Sequence, residues 1–223
     1  MHQRKSKKIF IFFFLFLLLG SITNIGLNKK QFFILNKIEI SGLDKYETRE
    51  LANKIDNLNL KNIFFLKVNK IRDIIEANTL IENYEILKIY PSGLFIKINK
   101  TKSLAKINKN GKLLFIGSNG KLSEINSHNQ KLPFIFGNPR IKEFLDFKKI
   151  IDESKFSYDE IKNFYFFPSK RWDIELNNKI LLKLPRQDSK NSLDYLYEYL
   201  NNKNLENINI IDARINNQII LND

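Results

Sequence analysis

Cysteine is absent from the 223-residue chain. That excludes a disulfide framework, a thiolate nucleophile, iron–sulfur ligation and the cysteine-based zinc sites. Histidine is almost absent: with only His2 and His128, any imidazole-based metal site or Ser-His-Asp triad would have to run through His128. Glycine (8) and proline (5) are too few for a collagen-like or low-complexity chain. The P-loop, dinucleotide-binding, zincin and nucleophile-elbow signatures are missing as well. The neighbouring acids Asp152-Glu153 and Asp159-Glu160 diverge at i,i+1 spacing, and His128 sits in a polar loop, so neither supplies a working pair. The residues therefore give no catalytic set, no metal ligands and no cofactor-binding motif.

A surplus of one sign of charge is present, at +13. Lys (30), Asn (29) and Ile (33) together make up 92 residues, against 7 Arg. All three are encoded by A/T-rich codons, so coding bias accounts for the lysines better than phosphate recognition does. Residues 1–30 hold six of the basic residues and no acid, which leaves +7 over residues 31–223. Interspersed acids make that remainder a solvated surface rather than a nucleic-acid patch.

A long uncharged apolar run is also present, at the start of the chain. Ile9 to Leu27, 19 residues, would span about 28 Å as a helix, close to the ~30 Å hydrocarbon core. Arg4, Lys5, Lys7 and Lys8 precede it and Lys29 and Lys30 follow. The heavier basic flank belongs on the cytoplasmic side. No small-x-small cleavage site follows, and the first Ala is Ala52, so an uncleaved signal-anchor is expected rather than a removed signal peptide. The expected layout is a cytoplasmic tail over 1–8, a single transmembrane helix over 9–27, and an exported remainder.

That remainder divides in two. Over 32–100 a strand at Leu35 to Ile40 stops at Ser41-Gly42, and Thr48 is expected to cap a helix bearing Leu51, Ile55 and Leu58. Asn69 opens a second helix with Ile71, Ile74 and Ile75. Strands at Tyr84 to Tyr90 and Leu94 to Ile98 meet at Pro91-Ser92-Gly93. Over 103–223 the pattern is mostly strand. Asn110-Gly111 and Asn119-Gly120 mark hairpins, and helices are expected at 141–153 and around Leu193 to Leu200. Ile161 to Phe167, Trp172 to Leu176, Ile180 to Leu184, Ile208 to Ile211 and Ile215 to Leu221 read as strands. In the second of these Trp172, Ile174 and Leu176 share one face, which makes Trp172 a core residue. The fold class is α+β: a small β-α-α-β-β domain, then a mostly antiparallel β domain with two helices.

The ordered motifs resemble those of the bacterial cell-division family FtsQ/DivIB, in which the first extracytoplasmic domain is of POTRA type. Ile38, Ile40 and Gly42 match its opening strand and turn; Tyr90-Pro91 with Leu94, Ile96 and Ile98 matches its hairpin. Asn119-Gly120, Leu132-Pro133 with Gly137, the Arg171–Leu176 strand, Leu184-Pro185 and Ile211-Asp212-Ala213-Arg214 match the second domain. At the junction, Lys100 and Ser103 replace a usual Glu and Pro, and Ala213 replaces a usual Leu. The missing Glu and Pro imply a looser junction.

The resemblance implies a non-enzymatic, bitopic inner-membrane scaffold of the divisome that helps control septum assembly. Its domains would be periplasmic and its partners other membrane division proteins of the FtsB/FtsL type, with no nucleic acid and no small-molecule substrate. Partner binding is implied for the last strands, with Ile215, Ile219, Ile220 and Leu221 as the candidate residues. A terminal strand can offer an unpaired edge. Gly42, Pro91, Trp172, Asp212 and Arg214 are expected to be structural. The alternative is another POTRA-containing export or outer-membrane assembly factor. Residues 103–223 are too charged and too poor in strands to form the membrane barrel that would accompany it.

Overall fold

The computed structural model describes residues 7–22, 34–58, 60, 62–63, 65–124, 131–202, 208–215 and 218–222. Helix α1 (Lys7–Ile22) is 16 residues long, with no charge after Lys8 and an exposed apolar surface. At 1.5 Å per residue it measures about 24 Å. Among the described residues no helix is long and apolar enough to cross a membrane. The last part of the apolar stretch, 23–27, lies outside the described residues. The chain as a whole divides into two compact units, Met1–Ile74 with Glu85–Lys97 and Ile75–Tyr84 with Ile98–Asp223.

Three strands, β1 (Lys37–Ser41), β2 (Ile81–Ile89) and β3 (Gly93–Lys100), make a sheet of order β1-β3-β2. β1 and β3 are parallel, with Ile38 opposite Leu94 and Ile40 opposite Ile96. A parallel pair needs a crossover, which helices α2 (Lys45–Asp56) and α3 (Asn69–Ala77) provide. Leu51, Ile55 and Ile71 from the helices, and Leu94 and Ile96 from the sheet, are buried.

The cap of α2 differs from the expectation at Thr48. Asp44 holds that place: its carboxylate accepts from Tyr46 N (3.1 Å) and Glu47 N (2.9 Å), while Asp44 N donates to Glu47. This reciprocal box satisfies two orphan amides at once, which Thr48, already inside the first turn, cannot do. Gly42, directly after β1, has φ +95°, a left-handed conformation that a Cβ disfavours. Pro91, after a cis bond, sits in the turn from β2 to β3.

The second unit is built on a nine-stranded sheet. β4 (Ser103–Lys109) and β5 (Lys112–Gly117) form a hairpin through Asn110 and Gly111, both at positive φ, the signature of a type I′ turn. Then come β6 (Leu122–Ser123), β7 (Phe134–Phe136), α4 (Ile141–Asp152), β8 (Ile161–Phe166), β9 (Trp172–Leu176), β10 (Leu181–Lys183), α5 (Ser189–Asn202), β11 (Ile210–Asp212) and β12 (Ile220–Asn222). The order is β12-β11-β10-β9-β8-β7-β4-β5-β6. Among the described residues five neighbouring pairs are antiparallel, and β4–β7, β7–β8 and β10–β11 are parallel. Both helices follow from those parallel pairs, α4 crossing from β7 to β8 and α5 from β10 to β11. Right-handed crossovers that step the same way between parallel strands put both helices on one face. Phe144, Phe147 and Ile151 of α4 and Leu193 and Leu196 of α5 share a single core with the sheet.

Trp172 lies at the centre of that core, 6% exposed. Its indole stacks on Phe147 (centroids 4.9 Å, planes 3° apart) and meets Phe164 edge-on at 6.1 Å. On the other face of β9 the alternation read from the sequence does not lead to water: Asp173 is buried. Burial pushes its carboxyl above the ordinary carboxylate range, opposed by Arg171, whose Nε donates at 3.1 Å.

Within this unit, residues 75–84 are tied to the start of β4 and to the turn after β5. Thr101 N donates to Leu80 O at 2.9 Å, and the Asn119 amide donates to Thr79 O (3.0 Å) and Ile81 O (2.9 Å). Ser118 Oγ donates to Glu82 at 2.6 Å, and Thr101 Oγ1 lies 3.0 Å from the same carboxylate. Thr101 and Ser103 are buried. Thr101, Ser118 and Asn119 thus fasten residues 75–84 within this unit. Asn119→Ala should cost about 1–3 kcal/mol, because it strands two carbonyls without a donor; a urea midpoint within error of the wild type would contradict this.

Candidate partner-docking edge

β12 ends the sheet: among the described residues it pairs with β11 alone, Ile210 opposite Asn222, Ile211 opposite Leu221 and Asp212 opposite Ile220. The strand is shorter than the expected Ile215 to Leu221. The chain must reverse after β11 to run antiparallel, and Ile215 and Gln218 lie in that reversal, with Gln218 N donating to Ile215 O at 3.2 Å. Of the four candidate residues, Ile215 (54%), Ile220 (52%) and Leu221 (40%) are exposed. Ile219 instead is half-buried against the core.

Beside the edge lies a cleft of about 300 Å³, walled by Ile215, Ala213 and Gln218 on one side and by Asp188, Asn191, Ser192 and Tyr195 of the α5 region on the other. Tyr195 is half-exposed. The α5 residues escaped the sequence reading, although their signal was there. Asn191, Ser192 and Tyr195 fall at i, i+1 and i+4, off the stripe of Leu193, Leu196 and Leu200, so an aromatic stands on the polar side of the helix.

The strands behind the edge are held in register by alternating charge. Asp173 of β9 stands opposite Lys183 of β10, and Lys183 opposite Asp212 of β11. Arg214 closes the row, its Nε 2.8 and 2.9 Å from the two Asp212 oxygens and its main-chain N 3.1 Å from Oδ1. The Arg214 hydrogen bonds hold the Asp212 carboxyl below its ordinary value, and the Lys183 charge adds to this. A one-residue slip would send Lys183 toward the core, so the row defends the pairing of two three-residue strands. Asp212 and Arg214 thus form an ion pair at the end of β11.

A carboxyl with a depressed folded pKa contributes stability above its unfolded value near 4 and loses it as pH falls through the folded one. Arg214 is half-exposed, so Arg214→Met should cost only about 0.5–1 kcal/mol at pH 7. The difference from wild type should shrink when the comparison is repeated at an acid pH, below the ordinary carboxylate value near 4. Urea midpoints at the two pH values check this; an undiminished gap in acid would remove the ion pair as its cause.

Among the described residues no group of three His, Cys, Asp or Glu side chains could hold a metal ion, and His128 lies outside the described residues. What the geometry offers is an apolar edge with a pocket beside it, at the end of the nine-stranded sheet.

Residues 33–100 match the family described as "POTRA domain, FtsQ-type" and residues 98–214 match "Cell division protein FtsQ/DivIB, C-terminal". The chain belongs to the FtsQ/DivIB family of cell-division proteins. It is similar to the cell division protein FtsQ of Bradyrhizobium diazoefficiens, 25% identical over 137 residues, which is 60% of this chain and 40% of that protein. The match thus spans well under half the length of that relative.

Proposed function

We propose that this chain is a non-enzymatic scaffold of the divisome. Ile9 to Leu27 anchor it in the inner membrane with the N-terminus cytoplasmic, and both folded units lie in the periplasm. β12 receives a strand from a membrane division protein of the FtsB/FtsL type. The observation that carries the reading is the edge itself: β12 has one neighbour among the described residues and shows Ile220 and Leu221 to solvent. Strand addition takes affinity from main-chain hydrogen bonds and specificity from side-chain pockets, and the cleft at Ile215 and Tyr195 supplies a pocket. The match of residues 98–214 to the FtsQ/DivIB C-terminal family favours this over an export or outer-membrane assembly factor. The anchor is supported by the uncharged run and its basic flank.

The test has two arms. A periplasm-active reporter fused after Asp223 should be active and a cytoplasm-active one silent. The tagged full chain, solubilised from dividing cells, should bring FtsB/FtsL-type proteins with it. Reversed reporters would end the topology. Recovery of outer-membrane assembly components in place of division proteins would end the scaffold role.

A further inference from the structure

We propose that the membrane-facing end of the first unit rests on the anionic headgroup surface of the bilayer that holds its own anchor. This rests on the anchor reading above. Hydrogen bonds gather three stretches of chain at this end. Asn36 N and Lys37 N donate to Ser92 O, Ile34 bridges to Asn62, and Lys88 Nζ donates to Leu66 O. The chain arriving from the apolar segment, the loop between α2 and α3, and the turn between β2 and β3 therefore form one surface.

Two properties of that surface point to lipid. First, it displays large apolar groups: Phe65 is 78% exposed, Tyr90 56%, Leu87 52% and Ile89 50%. An aromatic with a polar tip, flanked by aliphatic side chains, suits the boundary between headgroups and acyl chains. Second, its charge has one sign. Residues 28–38, 60–68 and 86–96 contain no Asp or Glu, while Lys37, Lys67 and Lys88 stand among them. The nearest carboxylates belong to the elements behind: Glu39, which pairs with Lys37 at 2.5 Å, Asp56 at the end of α2, and Glu85 on β2. The opposite end of the same unit is different. There Asp44, Glu47 and Glu50 surround the equally exposed Tyr46.

Chain length commits the occupant. Six residues, 28–33, lie between Leu27 and Ile34, and the Cα-to-Cα steps that join the two, even fully extended, reach about 25 Å. The surface is thus tethered close to the bilayer that holds the anchor. At that range lysines near an anionic leaflet are each attracted by about 1 kcal/mol, and the exposed apolar groups gain by leaving water.

The chain has no native cysteine, so single nitroxide labels can be placed cleanly. The full chain would carry Phe65→Cys, Tyr90→Cys or, as reference, Tyr46→Cys, in vesicles of phosphatidylcholine with about a third phosphatidylglycerol. Collision with oxygen and with a water-soluble nickel chelate reads depth. The labels at 65 and 90 should shift toward oxygen and away from nickel relative to the label at 46. The shift should shrink in pure phosphatidylcholine, and also when Lys67→Glu is added to the Tyr90→Cys chain. Labels at 65 and 90 as nickel-accessible as at 46, on a chain that resists alkaline extraction, would overturn the proposal and leave the anchor standing. Release of the chain by alkali would overturn both. Shielding that appears only when a second division protein is reconstituted would make this a protein-docking face and also overturn it.

Discussion

Trp172→Ala should destabilise the second unit by about 3–5 kcal/mol, the cost of removing a large buried aromatic and leaving its cavity. The indole is 6% exposed and lies against Phe144, Phe147, Phe164 and Phe166, with the Phe147 rings stacked at 4.9 Å. Those four rings come from α4 and β8, so no single neighbour can move in to fill the gap without dragging a whole element. Trp172→Phe keeps part of the stack and should cost clearly less. Phe136→Ala serves as the contrast. Phe136 is 44% exposed and stacks on Tyr165 at 4.9 Å, so its loss should cost about 1 kcal/mol. Urea unfolding followed by far-UV circular dichroism checks the order. A Trp172→Ala midpoint no lower than that of Phe136→Ala would mean that the ring cluster does not hold this core.

Proline in β12 should separate folding from partner binding. Successive residues of a strand alternate in which side their N–H faces. Of Ile220→Pro and Leu221→Pro, one therefore removes a bond to β11 and the other removes a donor from the open edge. The variant that lacks only the outward donor should keep the melting transition and the membrane level of the wild type. It should bind an FtsB/FtsL-type partner about tenfold or more weakly, since a partner carbonyl is left unmatched and the ring obstructs its approach. The other variant should loosen the strand. Proline at Ile219 is a poor probe, because that side chain packs on the core and its loss disturbs folding by itself. If both variants stay folded and recruit the partner at wild-type strength, the edge is not where the partner docks.

Much of the fold was legible because local chemistry and burial agreed. The Trp172, Ile174 and Leu176 alternation became a strand with those three residues buried, and Asn110-Gly111 became a tight hairpin. Where two local signals competed, the sequence reading chose one on type alone. Thr48 is a good cap residue, but Asp44-x-x-Glu47 satisfies two amides and wins. The parallel pairs β7–β8 and β10–β11 were not legible, since they depend on where each crossover lands. Nor was the burial of Asp173, which follows from the row of charges on neighbouring strands. At the docking edge Ile215 to Leu221 is read as one strand straight across Asn216, Asn217 and Gln218, although three polar residues in a row are turn punctuation. After them Ile219 packs on the core, while Ile220 and Leu221 are exposed.

The placement of α4 and α5 on a single side of the nine-stranded sheet has a consequence for whatever strand joins it at β12. Such a strand would lie between two unlike surroundings. Every second side chain would point toward the helical layer and the Tyr195 cleft, and the ones between toward the face that carries Asp173, Lys183 and Asp212. Its own sequence should therefore be written in a two-residue rhythm, apolar then polar, over a stretch only as long as β12 can match. Candidate partners can be searched for that short signature before any of them is purified.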